Sequence, residues 1–506
     1  MKKYISLWML FSVLLFSACE SGFLDEDNNP NSLSPGTFWK SKNDIKKGLT
    51  SVYGRLQPSG GWAANYERYI VLDNYRSDEV DYRPDVASWI SIANFSNSST
   101  NGVSNAEWYY LYQGINFANQ CIDNIPHVPN LEESERDLYI AEARCLRAYY
   151  YYRLYINYGE RIPIFTTQLK GSEEEFYPPQ AESGVLVKLI EDELIEAQKF
   201  LPENDKLPAG YDPSRVNKQV AAAFLAKFYM FRGELAKAEK EWAKLIGKYE
   251  LMENYGDNFS GLHKNNKESV FEVQFSGDRT GGKWEANDIA LHLVSGNAEG
   301  YEEAYPSYWL VDTFKAHDVT VDGEFSDRFY ATILFDGPKT TAFYFEEGKQ
   351  FTDYHNPDEV FWHKFATWDP SLSQHWSESA FNIPIVRYSD VLLSYAECLN
   401  DRGATAEAIQ YINQVRARVQ VPALEPTLSK EAVLKHLQDV ERPLELALEG
   451  SRWHDLIRWG ITQKALVDHK KPNASNFVPS KHILYPIPHG EFLLNDSWEQ
   501  NSGFSK

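Results

Sequence analysis

Two stretches of this chain mix flat rings with hydrogen-bonding side chains. The first, residues 62–89, carries Trp62, Tyr66, Tyr69, Tyr75, Tyr82 and Trp89 among Asp73, Asn74, Arg76, Asp78, Asp81 and Arg83. The second, residues 284–309, carries Trp284, Tyr301, Tyr305, Tyr308 and Trp309 among Asn287, Asp288 and Asn297. Trp and Tyr offer an apolar plane with a polar handle at its edge. A sugar ring offers the complement, a face of C–H groups edged by hydroxyls that Asp, Asn and Arg can fix. The chemistry expected is noncovalent capture of glycan. The candidate ligand-binding residues are Trp62, Tyr66, Asp73, Asn74, Tyr75, Asp78, Tyr82, Trp89, Trp284, Tyr301 and Tyr305. Trp368 and Trp376 lie in another polar segment and rank below them.

Other chemistries lack their residues. The chain has no GxxxxGK[ST] phosphate loop, no CxxC or HExxH metal signature and no GxSxG elbow. Gly277–Gly282 lacks the strand–turn–helix setting of a dinucleotide site. No catalytic residue, cofactor or metal ligand is assigned. A Ca2+ site of loop carboxylates stays open, although no EF-hand loop is present.

Composition sets the frame. The 506 residues carry a net charge of −22, from 50 Lys and Arg against 72 Asp and Glu. That balance argues against nucleic acid as a partner, because phosphate backbones are bound by clustered cations. Hydrophobic residues are 43% and mean hydropathy is −0.48, the profile of a globular body with ample core. Aromatics reach 14%, so some rings must sit outside the core. Four cysteines cannot form a disulfide framework for a chain this long.

The N-terminus reads as an address. Lys2 and Lys3 precede Leu7–Phe16, apolar except for Ser12 and too short for a permanent membrane span. Ser17-Ala18-Cys19 follows, the pattern accepted by a lipoprotein signal peptidase. Residues 1–18 are the expected signal peptide and Cys19 the lipid-attachment residue. Two or three acyl chains suffice for stable anchoring, where one is marginal. Residues 19–36, rich in Asp, Asn, Ser and Pro, read as a tether.

The body reads as mainly α, with long loop-rich excursions and minor β structure. Trp108, Leu111, Ile115, Ala118 and Ile122 form one helical stripe over residues 105–125. A second helix is expected over residues 133–158, stopped by Gly159. Cys121 and Cys145 fall on these helices, as buried thiols or as a pair. Leu225, Ala226, Tyr229, Gly233, Ala238, Trp242 and Leu245 share their spacing with Tyr395, Ala396, Leu399, Gly403, Ala408, Ile412 and Val415. This is the pattern of a tetratricopeptide hairpin: alanines let two helices approach and the glycine turns the chain. The two hairpins and the first helix pair are expected to stack. In residues 250–385 helical periodicity fades, and β-like runs stand at 269–275 and 341–345.

A family resemblance rests on motifs in order. Ala141-Glu142-Ala143-Arg144 leads a Tyr-rich run to Gly159 and Ile162-Pro163; Pro384–Asp390 precedes Tyr395-Ala396-Glu397. Then come Asp439–Gly460, Leu484–Pro488 and Gln500-Asn501. In the third motif Arg442, Glu445, Glu449, Arg452 and Asp455 are spaced to lie along one helical face as an ion network that is partly solvated. With the Cys19 motif these resemble the SusD/RagB family of outer-membrane nutrient-binding lipoproteins. The resemblance implies a helical scaffold held on the outer face of the outer membrane, partnered with a SusC-like TonB-dependent transporter. It implies capture and delivery of oligosaccharide, without catalysis. The expected division is residues 37–250 and 251–506, packed as one body. Residues alone leave two other classes open, a surface glycoside hydrolase and a tetratricopeptide scaffold for protein partners.

Overall fold

The computed structural model describes residues 38–58, 62–169, 176–278, 280 and 285–506. The signal peptide, Cys19, the tether and Trp284 lie outside the described residues.

The scaffold begins with α1, Lys42–Gly54, capped by Ser41, whose hydroxyl accepts from the Asp44 amide. Ile45, Leu49 and Val52 make its buried stripe. Helix α2, Gly102–Asn124, starts three residues before the expected position because Asn101 accepts from the amides of Val103 and Ser104. Helix α3, Glu133–Tyr158, matches its expected bounds and ends at Gly159, at φ +86°. Helix α4, Val185–Phe200, was not expected, although Leu186, Ile190, Leu194 and Ala197 mark its buried face. The hairpins follow as α5, Lys218–Phe231, with α6, Leu235–Ala243, and α7, Tyr388–Asp401, with α8, Thr405–Arg418. Ala226, Ala238, Ala396 and Ala408 are fully buried where the paired helices meet. Gly233 and Gly403 turn the chain at φ +74° and +91°. Each helix from α2 to α8 packs against the next, so α6 meets α7 and hairpins distant in sequence become neighbours in one stack.

Among the described residues, three antiparallel two-stranded ribbons decorate this stack. Strand β1, Val80–Tyr82, pairs with β3, Ala304–Pro306; β2, Ser269–Val273, pairs with β6, Ile383–Arg387; β4, Ile333–Leu334, pairs with β5, Phe361–Trp362. The run at 269–275 is thus a strand. Residues 341–345 are not: the Phe345 amide donates to the Ala342 carbonyl and closes a turn. The fold is mainly α, and no helix among the described residues is long and apolar enough to cross a membrane.

The Arg442–Asp455 ladder differs from its expected form. The helix breaks after Glu445, with Leu448 at φ +61° and Gly450 at φ +76°, and a separate helix α9, Arg452–Arg458, begins beyond. A side chain at Gly450 would meet the Asp73 Cβ at 2.9 Å. The residues are buried rather than solvated, and they point to different partners. Glu445 meets Arg328 and Arg387 at 3.0 Å and Arg418 at 2.6 Å. Glu449 binds Lys364 and Arg387, and Arg442 binds Asp390 and Asp455. Arg452 grips Asp78 through two bonds of 2.7 Å. Burial would raise the Glu445 carboxyl, but Arg418, Arg387 and Arg328 outweigh it and hold Glu445 well below the carboxylate range. These ions fasten the β-ribbon segments to the helical stack.

Cys121, Cys145 and Cys398 are buried free thiols, so Cys121 and Cys145 are not paired. Burial pushes the Cys121 thiol up to about 12.

Candidate ligand-binding surface

The β1–β3 ribbon brings the two aromatic stretches together, with Asp81 opposite Tyr305 and Tyr82 opposite Ala304. Beside it, Trp62 is 59% exposed and Tyr301 42% exposed. Their rings meet edge to face, with centroids 5.7 Å apart at 87°. Trp62 rests on Trp89, stacked at 5.7 Å and 28°, and on His292 at 4.8 Å. His292 in turn stacks on Tyr66 at 4.6 Å. Trp89 is fixed because its indole N–H donates to Glu67 Oε1 at 2.8 Å. Two exposed rings therefore stand on a buried bed of rings.

The loop carrying Tyr301 is strained and pinned. Glu299 and Glu302 are left-handed, at φ +64° and +54°, a conformation that costs about 1 kcal/mol or more for such residues. Glu302 holds the loop by accepting from the Gly296 amide and the Tyr305 hydroxyl, each at 2.8 Å. The Tyr301 amide donates to the Leu291 carbonyl at 2.9 Å. Arg83 donates from Nη1 to the Tyr301 carbonyl at 2.7 Å and pairs through Nε with Asp85 at 2.8 Å. Burial and then the Asp85 carboxyl push Glu303 up to about 7. Burial drives His292 down to about 4, so its ring is neutral at pH 7.

A cleft of about 330 Å³ adjoins this bed, lined by Arg55, Asn65, Glu285, Asn287, Asp288 and Ser377 among others. The Asp288 carboxylate accepts from the Tyr66 amide at 2.9 Å, joining cleft to ring bed, and burial raises it to about 6. The Asn65 Oδ1 is buried without a hydrogen-bond partner. The surface thus offers two exposed rings, an adjoining polar cleft and several carboxylates, a set fitted to hold C–H faces and hydroxyls together.

Residues 62–89 are not the exposed loop their composition suggests. Tyr66, Asp73, Asn74, Tyr75, Asp78 and Trp89 are buried, because each already has partners inside the fold. Asp73 grips Arg153 at 2.8 and 3.0 Å, and the Asn74 side chain bridges the Tyr69 carbonyl and the Gly450 amide. Tyr66 and Tyr75 share a hydrogen bond of 2.8 Å between hydroxyls. Burial would raise Asp78, but Arg452 and His469 hold it well below the carboxylate range. These six residues build the bed or the core and present no open face. Tyr82 and Tyr305 are half-buried at the ribbon; Tyr82 stacks on Tyr75 at 5.9 Å. Trp309 is withdrawn onto His469, at 3.9 Å and 5°. Tyr308 is 72% exposed.

Sequence reasoning did not single out Glu67, Asp85, His292 and Glu303. His292 carries no signal in its short helix, Ile289–Leu293. Among the described residues no group of three or more His, Cys, Asp or Glu is placed to hold a metal ion.

Residues 267–504 match a family profile described as the SusD family, and residues 22–230 match one described as starch-binding associating with outer membrane. A SusD-like protein of Formosa agariphila is 26% identical, with 99% of each chain covered. A SusD superfamily protein of Bacteroides vulgatus superposes with a TM-score of 0.82 at 24% identity, over 92% of this chain and all of that one. A structure described as a laminarin-binding SusD-like protein gives a TM-score of 0.74 at 26% identity, with the same coverage.

Proposed function

From the premise that this chain belongs to the SusD/RagB family, we propose that it captures oligosaccharide on the Trp62–Tyr301 surface. Anchored through Cys19 outside the outer membrane, it hands its ligand to a SusC-like TonB-dependent transporter and performs no chemistry on it. The observation that carries the reading is Trp62, which projects 59% exposed from a buried ring bed rather than joining the core. Leaving more than half of a large ring in water forgoes on the order of 1 kcal/mol of burial, a loss that ligand contact recovers. The strained, pinned loop under Tyr301 supports it, since a surface held in place before binding loses little entropy on binding. The outer-membrane association of the family matched by residues 22–230 and the laminarin binding of a structural relative point the same way.

The test is affinity electrophoresis and calorimetry of the chain from Gly22 onward against a panel of plant, fungal and algal polysaccharides. Wild type is expected to bind at least one glycan weakly and release no product from it over a day. The double variant W62A/Y301A loses at least tenfold in affinity while keeping its melting temperature. Product release, or binding indifferent to both rings, refutes the reading. Labelled palmitate incorporated by wild type and not by C19A checks the anchor.

A further inference from the structure

A second ring-lined cleft, of about 370 Å³, shares no lining residue with the Trp62–Tyr301 ring bed or its cleft. Helix α2 supplies one wall, because Tyr109, Tyr112 and Asn116 recur at helical spacing on one face. Residues 163–169 are laid along that face. The Tyr112 hydroxyl donates to the Pro163 carbonyl at 2.8 Å, and the Asn119 side chain donates to the Phe165 and Thr167 carbonyls at 3.0 and 3.1 Å. The Tyr112 and Phe165 rings meet edge to face, with centroids 5.9 Å apart. The short helix His489–Leu494 adds Glu491 to the lining. Trp498 follows it, fixed because its indole N–H donates to the Pro178 carbonyl at 3.1 Å. Two of the lining rings stay open to solvent: Tyr109 is 44% and Phe176 46% exposed.

The polar handles decide what fits. Tyr112 and Trp498 spend theirs on backbone carbonyls. Among the described residues the Tyr109 hydroxyl and the Asn116 carboxamide make no hydrogen bond. Glu491 has no ion pair among the described residues; burial raises its carboxyl, which meets the Trp108 indole. Apolar walls with a few converging polar groups are the build of a small-molecule site. An alkyl or aromatic guest would cover these three groups and leave them without partners, a net loss. A sugar unit lays its C–H faces on the rings, donates hydroxyl protons to Glu491 and exchanges hydrogen bonds with Asn116 and Tyr109. We propose that this cleft is a second site holding a sugar unit, beyond the Trp62–Tyr301 surface on which the glycan reading rests.

The experiment titrates the chain from Gly22 onward, which keeps every described residue, with laminarihexaose, cellohexaose, maltohexaose, xylohexaose and mannohexaose. Binding is read by saturation-transfer NMR and calorimetry on wild type, W62A/Y301A, Y109A/F176A and the fourfold variant. W62A/Y301A is expected to keep weak, saturable binding of at least one hexaose. Adding Y109A/F176A lowers that residue at least tenfold, and adding E491Q instead weakens it severalfold. Tyr109 and Phe176 are half-exposed, so their loss leaves the melting temperature unchanged, and E491Q keeps the test open should it not. Residual binding that is absent from W62A/Y301A, or indifferent to Tyr109, Phe176 and Glu491, overturns the second site and leaves capture at the first standing. Binding lost in Y109A/F176A and untouched by W62A/Y301A does the reverse. A Y109A/F176A variant that binds every hexaose as wild type does, yet no longer co-purifies with an outer-membrane barrel, makes the cleft a protein contact and also overturns the inference. Silence of wild type toward all five hexaoses overturns both sites.

Discussion

Replacing Glu445 by Gln leaves the shape of the buried ion network and removes one charge from it. Arg328, Arg387, Arg416, Arg418 and Lys364 are set against Asp318, Glu268, Glu441, Glu445 and Glu449 within it. The formal charges balance, and Glu445 itself is fully buried among three guanidinium groups. E445Q therefore leaves a buried guanidinium without its counter-charge, a loss of about 3–5 kcal/mol. With an unfolding entropy of about 2.1 cal/mol/K per residue, a body of roughly 450 residues gives close to 1 kcal/mol/K. The expected fall in melting temperature is about 3–5 °C by calorimetry. D192N, which breaks the exposed Lys188–Asp192 pair, is the control and should move it by less than about 0.5 °C. R418M and E445M should each destabilise as well, while R418M/E445M restores balance and comes out about 1–3 kcal/mol more stable than those two losses summed. If E445Q melts within 1 °C of wild type, or the double variant is merely additive, charge balance does not hold this network together.

Burial pushes Glu79 up to about 8, with the Leu448 amide donating to its Oε1. Because the folded value lies above the unfolded one, the folded state holds the proton longer, and stability falls as pH rises from about 4.5 to about 8. E79Q keeps the acceptor and removes that titration, so its melting temperature should decline less than that of wild type across this window; parallel curves would refute the assignment. Two helical glycines should respond with opposite sign. A Cβ at Gly114 would sit 2.5 Å from the buried Tyr150 ring, whereas one at Gly54 meets nothing within 4 Å. G114A should cost on the order of 2 kcal/mol, and G54A should gain about 0.5–1 kcal/mol, both read by denaturant titration. Two shifts of the same sign would refute the packing argument.

What could be read along the chain was what local periodicity decides. The paired spacings around Gly233 and Gly403 gave both hairpins because a close helical turn needs small residues near the glycine, wherever the hairpin ends up. The stripe Leu186, Ile190, Leu194 and Ala197 is equally local and carries the same helical spacing. Partners distant in sequence were beyond such reading. Asp73, Asn74 and Asp78 look like surface hydroxyl binders until Arg153, Gly450 and Arg452 arrive to satisfy them. Alternating rings and acids are the composition of a wet binding surface and equally of a buried polar network. Trp62 and Tyr301 were legible as candidate rings, yet their meeting depended on β1 pairing with β3. The ladder from Arg442 to Asp455 had helical spacing, yet the chain breaks at Leu448 and Gly450, where Gly450 lies too close to Asp73, distant in sequence, for a side chain.

Asp78 and Arg452 are separated by 374 positions along the chain. At roughly 5–20 residues per second, a ribosome takes on the order of 20–75 seconds to supply the second after the first. Throughout that interval Asp78 lacks its Arg452 counter-charge and Glu79 lacks the Leu448 amide that donates to it. A copy truncated shortly before Arg452 would leave the Asp78 carboxylate without that guanidinium, and is expected to aggregate rather than stand as a smaller working version.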